Sequence, residues 1–180
     1  MADNKQRLKE ILREKSILKG DFTLASGKKS TYYIDARLTT LDPEGVNLIG
    51  KIFLEEIKKD PSINIVGGPT MGADPIVGSV LALSQEAGCP LPGFLVRKEE
   101  KGHGTGKLIE GNLKSGDVAA MFEDVVTTGG SVIKAINAVR DSGAEVKKLF
   151  VIVDREEGAE SKFEDLGVEF FSIFQISDLL

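Results

Sequence analysis

Two adjacent acidic residues stand near the start of the stretch MFEDVVTTGGSV, which runs from Met121 to Val132. Glu123 and Asp124 follow an apolar run typical of buried sheet, where adjacent carboxylates repel one another unless other groups offset the repulsion. Carboxylate oxygens accept hydrogen bonds, so the pair is suited to two neighbouring hydroxyls of a sugar. A pair of solvated acids at a strand end is the simpler interpretation, but it leaves the composition of the following loop unexplained.

The loop TTGGS, from Thr127 to Ser131, has the composition of a phosphate-binding turn. Its glycines permit backbone angles that leave amide N–H groups free to point at a ligand. The run SVIKAINAVR predicts a helix immediately afterwards, whose N-terminal dipole end attracts an anion. Gly-rich turns that bind nothing are common, so the loop alone leaves both interpretations open. Beside Glu123 and Asp124, it predicts a site for ribose 5-phosphate.

A second stretch, VRKEEKGHGTG, carries four groups that can be cationic: Arg97, Lys98, Lys101 and His103. Cations on a loop with glycine joints can close over a multiply charged anion, such as pyrophosphate, and exclude water from it. The alternative is a solvated basic loop. The run GHGTGK fits neither the GxxxxGK[ST] phosphate loop nor the GxGxxG dinucleotide fingerprint, which argues against a nucleotidyl or redox domain.

Hydrophobic periodicity and Asp-Pro capping signals predict an alternation of helices and strands. Helices are expected at about residues 4–17, 42–59, 74–87 and 130–142, with a short one before the last strand. Strands are expected at residues 63–68, 93–97, 118–122, 148–153 and 168–174. The alternation predicts an α/β fold with a parallel sheet covered on both faces. Ligands of such sheets bind beyond the carboxyl ends of the strands, here the loops at 68–74, 97–111, 123–131 and 154–159.

Length, charge and cysteine content narrow the class of protein. The chain has 180 residues and a net charge of −5, which favours one domain and argues against a general nucleic-acid or anionic-membrane surface. Cys89 is the only cysteine, so neither an intrachain disulfide nor a cysteine-rich metal site is expected. The charged N-terminus lacks the apolar core of a signal peptide, and no segment has the length of a membrane span. A reducing, cytoplasmic location is the simplest interpretation.

Four motifs resemble one known family. VAAMFEDVVTTGGS resembles the phosphoribosyl pyrophosphate (PRPP) signature of the type I phosphoribosyltransferases. FTLASGKKSTYYIDAR (22–37), VRKEEKGHGTG (96–106) and VDREEGA (153–159) resemble the hood motif, the mobile catalytic loop and the orotate-recognition segment of the orotate phosphoribosyltransferases. The resemblance implies a type I phosphoribosyltransferase fold, with a mainly parallel sheet flanked by helices and a small hood. It implies one domain over residues 1–180, the hood at about 1–40 and the flexible loop at about 98–111.

The same resemblance implies a reaction and the residues that perform it. The expected reaction transfers the 5-phosphoribosyl group from PRPP to orotate, giving orotidine 5′-monophosphate and pyrophosphate in de novo pyrimidine (UMP) biosynthesis. Lys101, Asp124 and His103 are the expected catalytic residues, and Thr127 and Arg155 are expected to bind orotate. A surface network of Arg155 with the glutamates that follow it is the alternative. The residues expected to bind PRPP are Arg97, Lys98, Lys101, His103, Glu123, Asp124, Val125, Val126, Thr127, Thr128, Gly129, Gly130 and Ser131.

The family also implies partners. Mg²⁺ is expected to arrive mainly with PRPP, without a metal site of the protein's own. A homodimer is expected, in which Arg97 and the mobile loop reach the neighbouring active site. Association with a separate decarboxylase is left open.

The chain departs from the family pattern at three positions. Many bacterial members carry a lysine where this chain has Ala25, and many carry Tyr-Lys in the pyrophosphate loop where it has Thr70 and Met71. Those cationic roles are not expected here, although the glycines at 68–73 can offer backbone amides to pyrophosphate instead. A phosphoribosyltransferase for another base, such as adenine or xanthine, and a non-catalytic regulator that senses PRPP or a nucleotide are the alternatives.

Overall fold

The described part of the chain alternates strands and helices, as the sequence predicts. A computed structural model describes residues 2–23, 29–99 and 108–180. Its strands are β1 (Ile17–Thr23), β2 (Lys29–Ile34), β3 (Ile65–Pro69), β4 (Gly93–Val96), β5 (Ile109–Gly111), β6 (Val118–Val126), β7 (Glu145–Asp154) and β8 (Glu169–Gln175). Its helices are α1 (Ala2–Ile11), α2 (Arg37–Thr40), α3 (Pro43–Ile57), α4 (Asp74–Glu86), α5 (Gly130–Asp141), α6 (Ala159–Asp165) and α7 (Ile176–Leu179), and a π-helical turn, Leu12–Ser16, follows α1.

The main sheet is mixed but mostly parallel, which confirms the predicted fold class. Its strand order is β5-β4-β3-β6-β7-β8. The five strands from β4 to β8 in that order run parallel to one another, and β5 pairs antiparallel with β4 at the edge. The loop expected at residues 97–111 therefore ends sooner than predicted, because its last three residues pair with β4. The carboxyl ends of β3, β4, β6 and β7 meet at one edge of the sheet, where a ligand is expected.

The two Asp-Pro pairs both mark helix starts, but only one aspartate is a cap. Asp42 Oδ1 accepts hydrogen bonds from the backbone N–H groups of Glu44 and Gly45, at 3.1 and 2.9 Å, and so caps α3 as predicted. The prediction that Asp74 caps α4 is wrong by one residue. The N–H of Val77 donates to the carbonyl of Ala73 at 2.8 Å, which makes Ala73 the cap and Asp74 the first helical residue.

Strand β6 extends further than the predicted 118–122 and includes both acids. Its pairing with β7 continues through Glu123 and ends at Val126, which lies opposite Asp154. The loop expected at residues 123–131 is therefore shorter at its start. Pairing with a long partner strand explains the extension, because the ladder continues as long as β7 offers hydrogen-bonding groups. The acids thus stand on a hydrogen-bonded strand, which fixes their backbone.

Apolar cores on both faces of the sheet hold β6 in place. On one face Phe122 stacks on Phe53 of α3, with ring centroids 5.3 Å apart, and contacts Phe150 of β7 at 5.9 Å. On the other face Met121 packs with Ile136 of α5, and both side chains are fully buried. Each buried side chain of this size contributes about 1.5–3 kcal/mol to the free energy of unfolding. The strand that carries the acids is therefore anchored immediately before them.

An antiparallel hairpin of β1 and β2 was not predicted, and it leads the chain to the sheet's carboxyl edge. Its register pairs Ile17 with Ile34, and Ile34 is buried against the main core. The backbone N–H of Asp35 donates to the carbonyl of Ser16 at 2.9 Å, which ties the end of β2 to the π-helical turn. The hairpin lies within residues 1–40, where a hood is expected. No helix among the described residues is long and apolar enough to cross a membrane.

Candidate active site

A cavity of about 830 Å³ opens at the carboxyl edge of the sheet. We call the residues that line this cavity the cavity wall. They come from five segments and from Leu108 beside β5. The segments are residues 33–37 at the end of β2, residues 69–72 at and after the end of β3, residues 96–98 at and after the end of β4, residues 123–125 of β6, and the first turns of α5. The parallel sheet predicted that certain loops would carry the chemistry. Three of them contribute to the cavity wall, namely 68–74, 97–111 and 123–131. Segment 33–37 was not among them, because it follows the hairpin and not the main sheet.

Glu123 and Asp124 lie side by side on this wall, as the sequence suggested. Glu123 is buried, with 8% of its surface exposed, and Asp124 is half-buried. The N–H of Asp124 donates to Glu123 Oε1 at 3.2 Å, and the N–H of Val125 donates to Asp124 Oδ1 at 2.8 Å. Burial, and then the negative charge of Asp124, raise the pKa of Glu123 to about 9. Near neutral pH Glu123 therefore holds a proton and can donate as well as accept a hydrogen bond.

The loop after β3 approaches the two acids so closely that it needs a glycine. A Cβ built on Gly72 would lie 2.6 Å from both Asp124 Oδ1 and Glu123 Oε1, a separation that real Cβ atoms do not show. The peptide bond between Thr70 and Met71 is cis. Thr70, Met71 and Gly72 all line the cavity, and none of them carries a charge. The acids and this loop thus form two adjoining parts of one binding surface.

The TTGGS loop leads from β6 into α5, and the first of its two glycines has a left-handed backbone conformation. Gly129 caps α5 with φ +78°, and a Cβ there would lie 2.8 Å from Cζ of Phe163. Lys162 Nζ donates to the carbonyl of Thr128 at 2.8 Å and so ties the loop to α6. Ser131 lines the cavity, whereas Thr127, Thr128, Gly129 and Gly130 adjoin it without belonging to its wall. The helix N-terminus and the loop offer an anion site beside the acids.

Two predicted cations reach the cavity wall from the end of β4. Arg97 and Lys98 both line it, and the positive charge of Lys98 acts on Glu123 by lowering its pKa, against the larger effect of burial. The N–H of Arg97 donates to the carbonyl of Leu108 at 2.8 Å, and its Nη1 lies 3.7 Å from Glu110 Oε1. The other two predicted cations, Lys101 and His103, lie outside the described residues, as does Ala25.

Arg155 adjoins the cavity without belonging to its wall. Its guanidinium lies over the ring of Tyr32, with Cζ 5.5 Å from the ring centroid, and its Nε is 3.4 Å from Glu157 Oε1. The Arg155 side chain is 10% exposed, and its Nε makes no hydrogen bond with a described residue. Glu156 takes no part in this pair and accepts a hydrogen bond from the N–H of Ser177 instead. Tyr32 lies in the hood motif, but its contact with Arg155 could not be predicted because it joins residues far apart in the chain.

Three further polar residues of the cavity wall escaped the sequence analysis: Asp35, Arg37 and Lys134. Asp35 and Arg37 form a two-pronged ion pair, with Nε–Oδ1 2.7 Å and Nη2–Oδ2 2.9 Å. Lys134 follows Ser131 by three residues, so both side chains lie on one side of α5. That spacing was a signal in the sequence. Asp35 and Arg37 lie in the hood motif at 22–37 but received no individual role, because only the fold shows where β2 ends.

No group of three or more His, Cys, Asp or Glu residues that could hold a metal ion occurs within the described ranges. Asp124 nevertheless lines the cavity, and a carboxylate oxygen is a hard ligand that suits Mg²⁺ when a substrate phosphate completes its shell. The residues present therefore fit a magnesium ion that is shared with a phosphorylated ligand.

Comparison with known proteins assigns the family. No protein-family model matches the chain. It is 43% identical to the orotate phosphoribosyltransferase of Aquifex aeolicus over 179 residues, covering 98% of this chain and 97% of the relative. It is 44% identical to that of Thermosynechococcus vestitus over 180 residues, covering 99% and 94%. The Mycobacterium tuberculosis H37Rv orotate phosphoribosyltransferase in complex with PRPP superposes with a TM-score of 0.82 at 35% identity, covering 98% of both chains. The chain belongs to the orotate phosphoribosyltransferase family.

Proposed function

We propose that this protein transfers the 5-phosphoribosyl group from PRPP to orotate, releasing pyrophosphate and forming orotidine 5′-monophosphate. The observation that carries the proposal is the pair of acids on β6, held between an uncharged glycine loop and an anion site at the start of α5. This arrangement matches PRPP, which has a 5-phosphate at one end, vicinal hydroxyls in the middle and pyrophosphate at the other end. The family membership supplies orotate as the acceptor.

PRPP fits the cavity in one direction. Its 5-phosphate would be bound by the amides and hydroxyls of residues 127–131, with the dipole of α5 behind them. Glu123 and Asp124 would hold the two ribose hydroxyls. Val125 and Val126 would contact PRPP through their backbone groups and pack beside it. The pyrophosphate then extends toward residues 69–72, with Lys98 and the Arg97 of a second copy on the cationic side. PRPP would itself carry most of the contacts to a magnesium ion, which would neutralise part of its pyrophosphate charge.

The chemistry that these side chains support is a displacement at C1 of the ribose. The bond from C1 to the pyrophosphate oxygen breaks while positive charge develops on the sugar, and N1 of orotate attacks the opposite face with inversion. Asp124 lies beside the ribose and would stabilise the developing positive charge. Lys101 and His103, which lie outside the described residues, are proposed to stabilise the leaving pyrophosphate. N1 of orotate gives up its proton as the bond to C1 forms, and the leaving pyrophosphate can accept that proton, so the reaction needs no strong protein base.

Orotate recognition is assigned to Arg155 and Thr127. A guanidinium presents parallel N–H donors that match a planar carboxylate, and a lysine cannot supply that geometry. Tyr32 supports the guanidinium of Arg155 from one face by a cation–π contact. Glu157 lies near the same side chain, so orotate binding would compete with that ion pair for the guanidinium.

The proposal includes a homodimer in the cytoplasm. We propose that Arg97 and the loop after it reach the active site of a second copy. The exposed position of Lys98, at the start of that loop, supports this part of the proposal.

In the experiment, the purified protein is mixed with PRPP, Mg²⁺ and one base at a time. The bases are orotate, adenine, hypoxanthine, xanthine and uracil. We expect loss of orotate absorbance that depends on magnesium, with severe impairment in Lys101→Ala. Lys114→Ala is the matched control, because Lys114 is exposed and outside the cavity wall. Turnover of another base in place of orotate would overturn the role of Arg155. Tight PRPP binding without turnover of any base would indicate instead that the protein is a non-catalytic regulator.

A further inference from the structure

The cavity wall carries an uncharged loop and, on a separate segment, a cation that the proposed function has not used. The loop at residues 69–72 offers only backbone groups and the neutral side chains of Thr70 and Met71. Arg37 lies on the segment 33–37, which lines the same cavity. A multiply charged anion bound against an uncharged loop needs cations from other segments of the cavity wall, because unbalanced charge is costly away from bulk water. Arg37 is such a cation, in addition to Lys98.

The guanidinium of Arg37 is held in a defined orientation. Its Nε and Nη2 donate to the two carboxylate oxygens of Asp35, at 2.7 and 2.9 Å, and its backbone N–H donates to Asp35 Oδ1 at 3.2 Å. Asp35 is itself fixed by the hydrogen bond from its N–H to the carbonyl of Ser16, at 2.9 Å. Nη1 of Arg37 donates to no group within residues 2–23, 29–99 and 108–180. A fixed guanidinium with one unused edge is prepared to bind an anion with little loss of conformational entropy.

Arg37 also lies within electrostatic reach of the sugar-binding acids. The hydrogen bond to Asp35 raises the pKa of Arg37 most, the charge of Asp35 raises it further, and the charge of Asp124 contributes in the same direction. In PRPP the pyrophosphate is attached to C1, next to the hydroxyl on C2. Because Arg37 and Asp124 line the same cavity, the guanidinium can reach the pyrophosphate when the acids hold the ribose hydroxyls.

Stability alone does not account for the Asp35–Arg37 pair. The Arg37 side chain is 48% exposed, and exposed ion pairs contribute about 0–1 kcal/mol to the free energy of unfolding. The pair lines the cavity, whereas an ion pair of the same geometry between Arg7 and Glu44 lies elsewhere on the surface. That second pair provides a matched control.

We propose that Arg37, oriented by Asp35, binds the pyrophosphate group of PRPP and of the free product. This role rests on the proposed function and adds a pyrophosphate-binding residue to it. Arg37 supplies the positive charge that the loop at residues 69–72 lacks, and Asp35 is a positioning residue that acts through Arg37. The assignment predicts that changes at Arg37 affect pyrophosphate binding and leave binding of the 5-phosphate end unchanged.

The test uses the reverse reaction, in which orotidine 5′-monophosphate and pyrophosphate form orotate and PRPP. In Arg37→Gln we expect the KM for pyrophosphate to rise about 10- to 100-fold, as loss of charge-assisted hydrogen bonds predicts. The KM for orotidine 5′-monophosphate should stay within about twofold of wild type, because the nucleotide carries no pyrophosphate. Arg7→Gln should leave both KM values unchanged.

Two further variants separate the proposed role from a structural one. Arg37→Lys keeps the positive charge but not the paired N–H donors, and should bind pyrophosphate more tightly than Arg37→Gln and more weakly than wild type. Asp35→Asn frees the guanidinium of Arg37 and should lose part of the wild-type pyrophosphate affinity. Equal pyrophosphate KM values in wild type and Arg37→Gln would overturn the inference while the proposed function stands. A parallel rise in both KM values, with a lower melting temperature, would assign Arg37 a structural role. Failure of the wild type to form orotate would instead overturn the proposed function.

Discussion

The buried acid of the site should make the protein less stable as pH rises, and Glu123→Gln should remove that dependence. Burial and the charge of Asp124 raise the pKa of Glu123 from its ordinary value of 4.5 to about 9. Between these two values the folded protein keeps the proton, whereas the unfolded chain releases it. Because the unfolded state binds fewer protons in this range, the free energy of unfolding falls as pH rises. Glutamine cannot ionise and carries no such cost.

The size of the effect follows from linkage. One proton corresponds to about 1.4 kcal/mol for each pH unit in the free energy of unfolding. From about pH 5 to about pH 8, wild type should therefore lose up to about 4 kcal/mol relative to Glu123→Gln. Glutamine has nearly the volume of glutamate and retains a donor and an acceptor, so packing at the site should change little.

Urea unfolding of the ligand-free protein, followed by circular dichroism across this pH range, measures the difference. The comparison of wild type with Glu123→Gln at each pH cancels the titration of all other groups. Glu55→Gln, which changes an exposed glutamate of α3, should follow the wild-type curve. Parallel curves for wild type and Glu123→Gln would refute the reasoning, because they would show that Glu123 has the same pKa in the folded and unfolded states.

Three other substitutions test the geometry of the site. Gly72→Ala places a Cβ against both acids and should raise the KM for PRPP at least about tenfold, measured by initial rates; an unchanged KM would mean that the loop moves freely. Gly129→Ala puts a Cβ at φ +78° and close to Phe163, and should lower the free energy of unfolding by about 1–3 kcal/mol in urea titrations. Tyr32→Ala should lower kcat/KM for orotate about three- to tenfold by removing support from Arg155, with Tyr32→Phe near wild type. Equal losses in the two Tyr32 variants would contradict the cation–π role.

Local signals in the sequence predicted much of the fold. The Asp42-Pro43 pair predicts the start of α3 because capping depends on residues that are adjacent in the chain. The main parallel sheet follows from the alternation of apolar runs and helical patterns. Two details could not be predicted from local sequence. The role of Asp74 depends on which residue accepts the first helical hydrogen bond, and the length of β6 depends on its partner strand. The β1–β2 hairpin was also missed, because β1 is largely exposed without regular alternation and β2, although its burial alternates, does not alternate apolar and polar residues in KSTYYI.

The candidate site divides in the same way. Glu123 and Asp124 were recognised because the acids and the phosphate loop are contiguous in sequence. Arg37 and Lys134 were not, because their relevance depends on the cavity that several distant segments form together. The contact of Tyr32 with Arg155 has the same origin. Contiguous motifs are therefore visible in one sequence, whereas residues that converge from separate elements require the fold.

The proposed reaction requires the acids on β6 to hold PRPP while its phosphoribosyl group passes to orotate. The initial rate of orotidine 5′-monophosphate formation from PRPP, Mg²⁺ and orotate, by wild type and by Asp124→Asn, measures this requirement. We expect magnesium-dependent product formation by wild type and a fall in kcat of at least about 100-fold in Asp124→Asn, because the variant cannot offset positive charge on the ribose. No product from wild type, or an undiminished kcat in Asp124→Asn, would overturn this role of the acids.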